Sequence, residues 1–170
     1  MTDTAHAFLD KSRSLLLSDY LPKIERSLGE LNDEDVWWRP NQASNSIGNL
    51  MLHLCGNVTQ WLIGGVGERS FVRDRQREFD ERAPLAPREL LAKLKETLRQ
   101  ADEVIAGLNA ESLLTRRRIQ NYDVTVLEAI YHVVEHFGMH TGQIIMLSKM
   151  RTSKDLKLWQ PRDPPQAPPP

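Results

Sequence analysis

The chain has 170 residues, of which 22 are basic, 23 are acidic and one is a cysteine, and 40% are hydrophobic. This length and apolar content predict one domain around one core, and the balanced charge excludes nucleic acid as the main partner because phosphate binding requires a basic excess. Cys55 has no partner for an intramolecular disulfide, and with neither a signal-peptide pattern nor an 18-residue apolar stretch we expect a cytoplasmic protein without a membrane partner.

Hydrophobic residues recur at helical spacing in four long segments, at about residues 4–28, 44–63, 87–108 and 123–150. Pro22 predicts a kink or a break in the first segment, because proline lacks the backbone N–H that a helix interior requires. Residues 44–46 and Asp123 are candidate N-caps of the second and fourth segments. Alternating β-branched runs are absent, so we predict an all-α four-helix bundle with long connections and no sheet.

Two charged segments and a proline-rich tail are predicted to lie outside these helices. Residues 67–83 carry charges of both signs, and we interpret them, like residues 116–118, as solvated surface. Six of the ten prolines fall in residues 161–170, which predicts an extended or disordered tail. We therefore assign residues 1–150 to a single four-helix-bundle domain and residues 151–170 to the C-terminal tail.

Four histidines in the predicted helices are candidate metal ligands. His132, His136 and His140 follow each other at intervals of four, so they lie near one face of the fourth helix. The outer two are about 12 Å apart along the axis, so all three cannot bind one ion. On a helical wheel His136 and His140 flank the apolar stripe while His132 points away from it, and His53 lies on a polar edge of the second helix. On spacing alone, surface or structural histidines remain the alternative to a metal site.

Two segments of the sequence resemble the DinB-like superfamily of four-helix metalloenzymes. They are Asn-Ser-Ile-Gly-Asn-Leu-Met-Leu-His-Leu-Cys-Gly-Asn around His53 and His-x-x-x-His-Thr-Gly-Gln-Ile from His136. The turn at residues 37–40 and the arginine-rich stretch ending in Glu78-Phe79 resemble features of one branch of that superfamily. This resemblance spans about residues 5–150. It implies a zinc or nickel ion held by His53, His136 and His140, a homodimer, and thiol-dependent chemistry.

Three neutral nitrogen ligands leave a divalent ion at least one open position, which is typical of catalytic sites. A thiol or a water in that position loses its proton more easily. We therefore expect a metal-dependent enzyme that performs thiol S-transfer on a small electrophilic substrate, with a low-molecular-weight thiol as cosubstrate. A hydrolase that uses a metal-bound water is one alternative, and a non-catalytic metal-binding sensor or interaction module is another.

The remaining polar and apolar residues near the histidines have simpler interpretations. Asn57 and Gln60 are candidate contacts to the ligands or the substrate, with ordinary helix-surface polarity as the alternative. Glu135 is expected at the surface. Tyr131, Met139 and Met146 form a second apolar strip on the fourth helix, which we interpret as part of a homodimer surface.

Overall fold

A computed structural model describes residues 3–82 and 85–159, and these residues are mainly helical, consistent with the predicted all-α class. The α-helices are α1 (Thr4–Ser14), α2 (Leu21–Leu28), α3 (Asp33–Trp37), α4 (Ile47–Val58), α5 (Arg75–Asp80), α6 (Pro87–Ala106) and α7 (Val126–Thr152). A 3₁₀ turn lies at Ser112–Leu114 and two strands form β1 (Arg116–Ile119) and β2 (Tyr122–Thr125). The part of the predicted tail after Trp159 lies outside the described residues.

The first long helical segment runs from α1 to α2 through a π-helical turn at Leu15–Tyr20. Within this turn the Leu21 N–H donates to the Leu16 carbonyl, five residues back. Pro22 follows at the start of α2, where a normal α-helical turn would place its ring against an upstream carbonyl. The wider turn accommodates the proline, so the predicted kink or break takes the form of a π-helical turn.

The second and fourth segments begin with capping boxes. Ser46 and Asn49 cap α4 reciprocally, as the N-cap candidates at residues 44–46 predict, and the helix continues as a π-helical segment at Thr59–Val66. Thr125 and Glu128 form the cap of α7, so that helix begins three residues after the predicted cap at Asp123. Asp123 lies in β2 instead, where its carboxylate forms an ion pair with Arg116.

The strands β1 and β2 form an antiparallel hairpin, so the prediction that the chain contains no sheet is wrong here. Ile119 is the buried residue of β1, and it packs against Gly65, where a Cβ atom would overlap its side chain. The interpretation of Arg116–Arg118 as solvated surface holds for Arg116 and Arg118, which are exposed.

One hydrophobic core joins the long helical segments. Its fully buried side chains include Ile24 of α2, Leu54 of α4, Leu94 of α6, and Phe137 and Ile144 of α7. Helix α4 contacts both α6 and α7, so one side of α4 faces α7. Within the described ranges, none of the helices combines the length and the apolarity that a membrane crossing requires.

The segment 67–83 folds back onto α4 through the short helix α5. Asn49 donates its side-chain N–H to the backbone carbonyl of Glu78 at 2.9 Å, and Arg39 donates to the carbonyl of Phe79 at 3.0 Å. These bonds hold α5 against the His53 face of α4. The interpretation of residues 67–83 as a solvated connection is therefore wrong at Glu78, which is buried.

Candidate metal centre

His53 of α4 and His136 and His140 of α7 meet at one point between the two helices. The Nε2 atoms of His53 and His136 are 3.1 Å apart, and those of His136 and His140 are 3.2 Å apart. Across all three residues, potential ligand atoms lie within 4.8 Å of one another. His53 and His140 are buried and His136 is partly buried. The three histidines predicted as ligands are thus close enough that they could hold a metal ion.

The outer partners of His53 and His140 fix which ring nitrogen carries the hydrogen. His53 Nδ1 is 2.9 Å from a carboxylate oxygen of Glu78 and 3.3 Å from Arg73 Nη2. The shorter contact is to a carboxylate, which only accepts, so this nitrogen is the donor. His140 Nδ1 donates in the same way to the side-chain oxygen of Gln143 at 2.7 Å. In their neutral forms both rings therefore direct an Nε2 lone pair toward His136.

This arrangement fits a cation better than it fits hydrogen bonds alone. His136 Nε2 carries at most one hydrogen and so can satisfy only one of the two lone pairs that face it. A positive ion among the three nitrogens would satisfy all of them. The separations of 3.1 and 3.2 Å are also close to the spacing of about 3.3 Å between adjacent nitrogens of a tetrahedral ion with bonds near 2.05 Å.

Burial keeps the imidazoles of His136 and His140 in the neutral form that binds metals. Burial, together with the neighbouring His140 and His53, lowers the pKa of His136 to about 3. Burial also lowers the pKa of His140, against a smaller opposing effect of its hydrogen bond to Gln143. Because metal ions compete with protons for ligand nitrogens, these lowered pKa values favour metal binding at neutral pH.

Behind His53 lies a buried ion pair between Glu78 and Arg73. Arg73 Nε and Nη2 donate to the two carboxylate oxygens of Glu78 at 2.7 and 2.9 Å. Burial raises the pKa of Glu78, but the hydrogen bonds from Arg73 and His53 outweigh this effect and hold the pKa below its usual value. Glu78 therefore stays ionised and orients His53, which is the common role of a carboxylate next to a metal-binding histidine.

Gly56 makes room for this ion pair on the surface of α4. A Cβ atom at residue 56 would overlap the Glu78 carboxylate and lie 2.8 Å from Arg73 Nε. Residue 56 is therefore a glycine in the His53 segment because a larger side chain would collide with the ion pair. It is also a sequence signal, because a glycine inside a helix often marks the close approach of another group.

His132 does not join the three-histidine cluster, but it lies beside it. Its ring packs on Trp61 with 4.2 Å between ring centroids, and its Nε2 is 3.3 Å from the side-chain nitrogen of Asn57. The wheel places His132 away from the buried stripe, whereas in the structure it lines a cavity of about 410 Å³ that also reaches His53 and His136.

The two polar candidates on α4 have definite partners in the structure. Asn57 is buried against His132, and the side-chain oxygen of Gln60 accepts hydrogen bonds from Arg73 and from Gln120 of the hairpin turn. Gln60 therefore links the hairpin to the Arg73–Glu78 pair. Glu135 is exposed, as expected.

Comparison with known families gives one match that covers nearly the whole chain. A family model described as a protein of unknown function, DUF1572, matches residues 3–162. The chain belongs to the DUF1572 family. The DUF1572 family is related to DinB-like proteins, which supports the resemblance of the histidine segments in part. No curated protein matches the chain significantly.

In this DUF1572 member, sequence reasoning overlooked Glu78 and Arg73 as functional residues. Both lie in a segment whose many charges suggested solvent, and both are held by contacts with α4 that the local sequence does not reveal. Two features of the sequence pointed to these residues. One is the resemblance of the arginine-rich stretch to a branch of the DinB-like superfamily, and the other is Gly56 inside α4.

Proposed function

We propose that this DUF1572 member is a metal-dependent enzyme whose divalent ion, zinc or nickel, is held by His53, His136 and His140. The proposal rests on one observation: the Nε2 lone pairs of His53 and His140 both point at the imidazole of His136. Glu78 supports this arrangement because it holds the hydrogen of the His53 ring on Nδ1. The proposal includes a DinB-like four-helix bundle over residues 1–150, followed by the tail at residues 151–170.

A cavity beside the histidines favours an enzyme over a sensor or an interaction module. Its volume of about 410 Å³ lies in the range of small-molecule sites. His53 and Asn57 of α4 and His132 and His136 of α7 all line it. A small molecule in this cavity would therefore contact the proposed centre directly, which a purely structural ion does not require.

Thiol S-transfer to a small electrophilic substrate is the activity we propose, with a low-molecular-weight thiol as cosubstrate. The three neutral histidines leave the full charge on a bound ion, which would favour loss of a proton from a thiol or a water. Glu78 and Gln143 hold His53 and His140 in the tautomers that direct Nε2 inward. The support for a thiol over other nucleophiles is the resemblance to DinB-like proteins.

Hydrolysis is the second candidate, and the position of His132 favours it. Burial lowers the pKa of His132, so its imidazole is neutral at physiological pH. This imidazole lies on the wall of the same cavity, and it could accept a proton from a water molecule that replaced Asn57 as the partner of its Nε2.

The experiment that tests the proposed function begins with metal analysis of the purified protein. The metal-loaded protein is then assayed for transfer with a panel of thiols and for hydrolysis of activated esters without thiol. We expect activity that requires a thiol and disappears when a chelator removes the metal. Activity that survives complete metal removal would contradict the metal-dependent mechanism, and thiol-independent ester cleavage would favour the hydrolase.

We also propose a homodimer, built in part on an exposed apolar strip of α7. Tyr131, Met139 and Met146 have exposed fractions of 62%, 52% and 59% in the single chain. Large apolar side chains that line up on one helix are typical of an interaction surface. Light scattering at micromolar concentration tests the dimer, and a monomeric mass would refute it.

A further inference from the structure

Two arginines line the cavity beside the histidines, and they differ in their partners. Arg73 donates hydrogen bonds to Glu78 and Gln60 from all three of its guanidinium nitrogens, so the protein itself holds this side chain. Arg75 is exposed, and in the described part of the chain its guanidinium forms no hydrogen bond or ion pair with a side chain. Arg75 is therefore free to pair with a ligand, whereas Arg73 is already paired with Glu78.

Packing holds the Arg75 guanidinium close to the proposed centre. It lies over the ring of Phe79, with 5.1 Å between the guanidinium carbon and the ring centroid. The Phe79 ring packs in turn against the His53 ring, with 4.8 Å between centroids. The cation–π contact places the guanidinium one aromatic ring away from His53.

Without an ion, the formal charges around the cavity sum to zero, since Arg73 and Arg75 are positive and Glu78 and Glu128 are negative. The positive charge of Arg73 is compensated by Glu78. The carboxylate of Glu128 is engaged at the start of α7, where it accepts hydrogen bonds from the backbone N–H and the hydroxyl of Thr125. These neutral donors leave the negative charge of Glu128 in place, but Glu128 and Arg75, both in the described part of the chain, form no direct pair. A divalent ion on neutral ligands would make the cavity positive overall. Such a site attracts anions.

Part of the cavity wall is apolar and aromatic. Trp61 comes from the π-helical segment after α4, and Tyr122 and Val124 come from β2 of the hairpin. The rings of Trp61 and Tyr122 are 6.2 Å apart between centroids and inclined by 31°. These side chains offer contact area to a flat apolar group rather than to a strongly polar one.

We propose that the cavity binds a small organic anion whose carboxylate pairs with Arg75 and whose flat apolar body lies against Trp61 and Tyr122. The inference rests on the proposed function in one respect, since the other end of the ligand reaches the metal ion. The Arg75 contact itself does not depend on the metal. This separation allows the two proposals to be tested independently.

The experiment measures the binding of 4-mercaptophenylacetate and of its methyl ester by titration calorimetry. The two probes share a thiol and an aromatic ring and differ in the carboxylate charge. They are titrated into zinc-loaded and metal-free wild-type protein, Arg75→Gln and Arg77→Gln. Arg77 is a matched control because it lies on the same helix, is exposed and does not line this cavity.

We expect Arg75→Gln to weaken binding of the acid by about fivefold, the upper end for one exposed ion pair, and to leave the ester unchanged. Arg77→Gln should change neither affinity. The dependence on Arg75 should persist in the metal-free protein, although both probes bind more weakly there. Equal effects of Arg75→Gln on acid and ester, or equal effects of the two variants on the acid, would overturn the inference.

The zinc content of the same samples separates the outcomes. If zinc binds but the acid affinity does not depend on Arg75, the anion inference fails and the metal centre stands. If zinc does not bind while Arg75→Gln still weakens the acid selectively, the metal centre fails and the anion contact stands.

Discussion

Replacement of Glu78 by glutamine is the change that separates orientation of His53 from simple packing. Glutamine keeps the size of the side chain but removes the negative charge between His53 and Arg73. The side chains of Arg73 and Glu78 are only 6% and 10% exposed, so the variant leaves a buried guanidinium without its counter-ion. Breaking a buried pair in this way costs about 3–5 kcal/mol of unfolding free energy.

The effect on the metal should be separate from the effect on stability. Loss of a group that orients a metal-binding histidine lowers metal affinity by about 10–100-fold. We therefore expect Glu78→Gln to bind zinc at least about tenfold more weakly than the wild type, measured by competition with a chromophoric chelator. Urea unfolding of the metal-free proteins measures the free energy of unfolding separately from the zinc affinity.

Glu103→Gln is the matched control, because Glu103 also forms ion pairs with arginines but is 47% exposed. Exposed pairs contribute at most about 1 kcal/mol, so this variant should unfold almost like the wild type and bind zinc equally well. Adding Arg73→Met to Glu78→Gln should recover part of the lost stability without recovering zinc affinity, because it removes the unpaired charge but not the defect at His53. Wild-type zinc affinity in Glu78→Gln would refute the orienting role.

Three further outcomes are expected. His132→Ala should retain the bound metal while His140→Ala should lose most of it, and metal analysis with the opposite result would mean that the wrong end of the histidine run was chosen. Metal-free protein should lose stability as the pH falls below about 6.5, because unfolded His136 then gains a proton that the folded residue, with its pKa lowered to about 3, does not take up. The urea midpoint should accordingly be lower at pH 5.5 than at pH 7.5, less so in His136→Gln, and equal midpoints would contradict this. Burial raises the pKa of Cys55 to about 11. The native thiol should therefore resist a thiol reagent at pH 8 and react only after unfolding in urea. Rapid reaction of the native protein would show that the thiol is accessible.

The long helices could be predicted because their signals are local. The Ser46–Asn49 capping box and the start of α6 at Pro87 are each set by residues within one turn of the helix end. The proximity of His136 and His140 follows in the same way from their spacing of four residues. Selecting these two over His132 also used only the local apolar stripe of α7.

The hairpin and the buried ion pair could not be predicted because they depend on contacts between distant residues. Strand β1 has three consecutive arginines and becomes a strand through pairing with β2 and burial of Ile119. The burial of Glu78 results from packing of α5 on α4, at Gly56. The wheel for α7 likewise contains no information about Trp61, which brings His132 to the cavity wall.

X-ray absorption at the zinc edge examines the proposed three-histidine site itself, because it counts the ligands of the bound ion and identifies imidazoles by their scattering. For protein loaded with one zinc per chain, we expect three imidazole nitrogens at about 2.0–2.1 Å together with an oxygen ligand from solvent. Single replacement of His53, His136 or His140 by alanine should remove most of the zinc. A zinc ion with fewer than three imidazoles, or one bound through the sulfur of Cys55, would contradict the proposed three-histidine site.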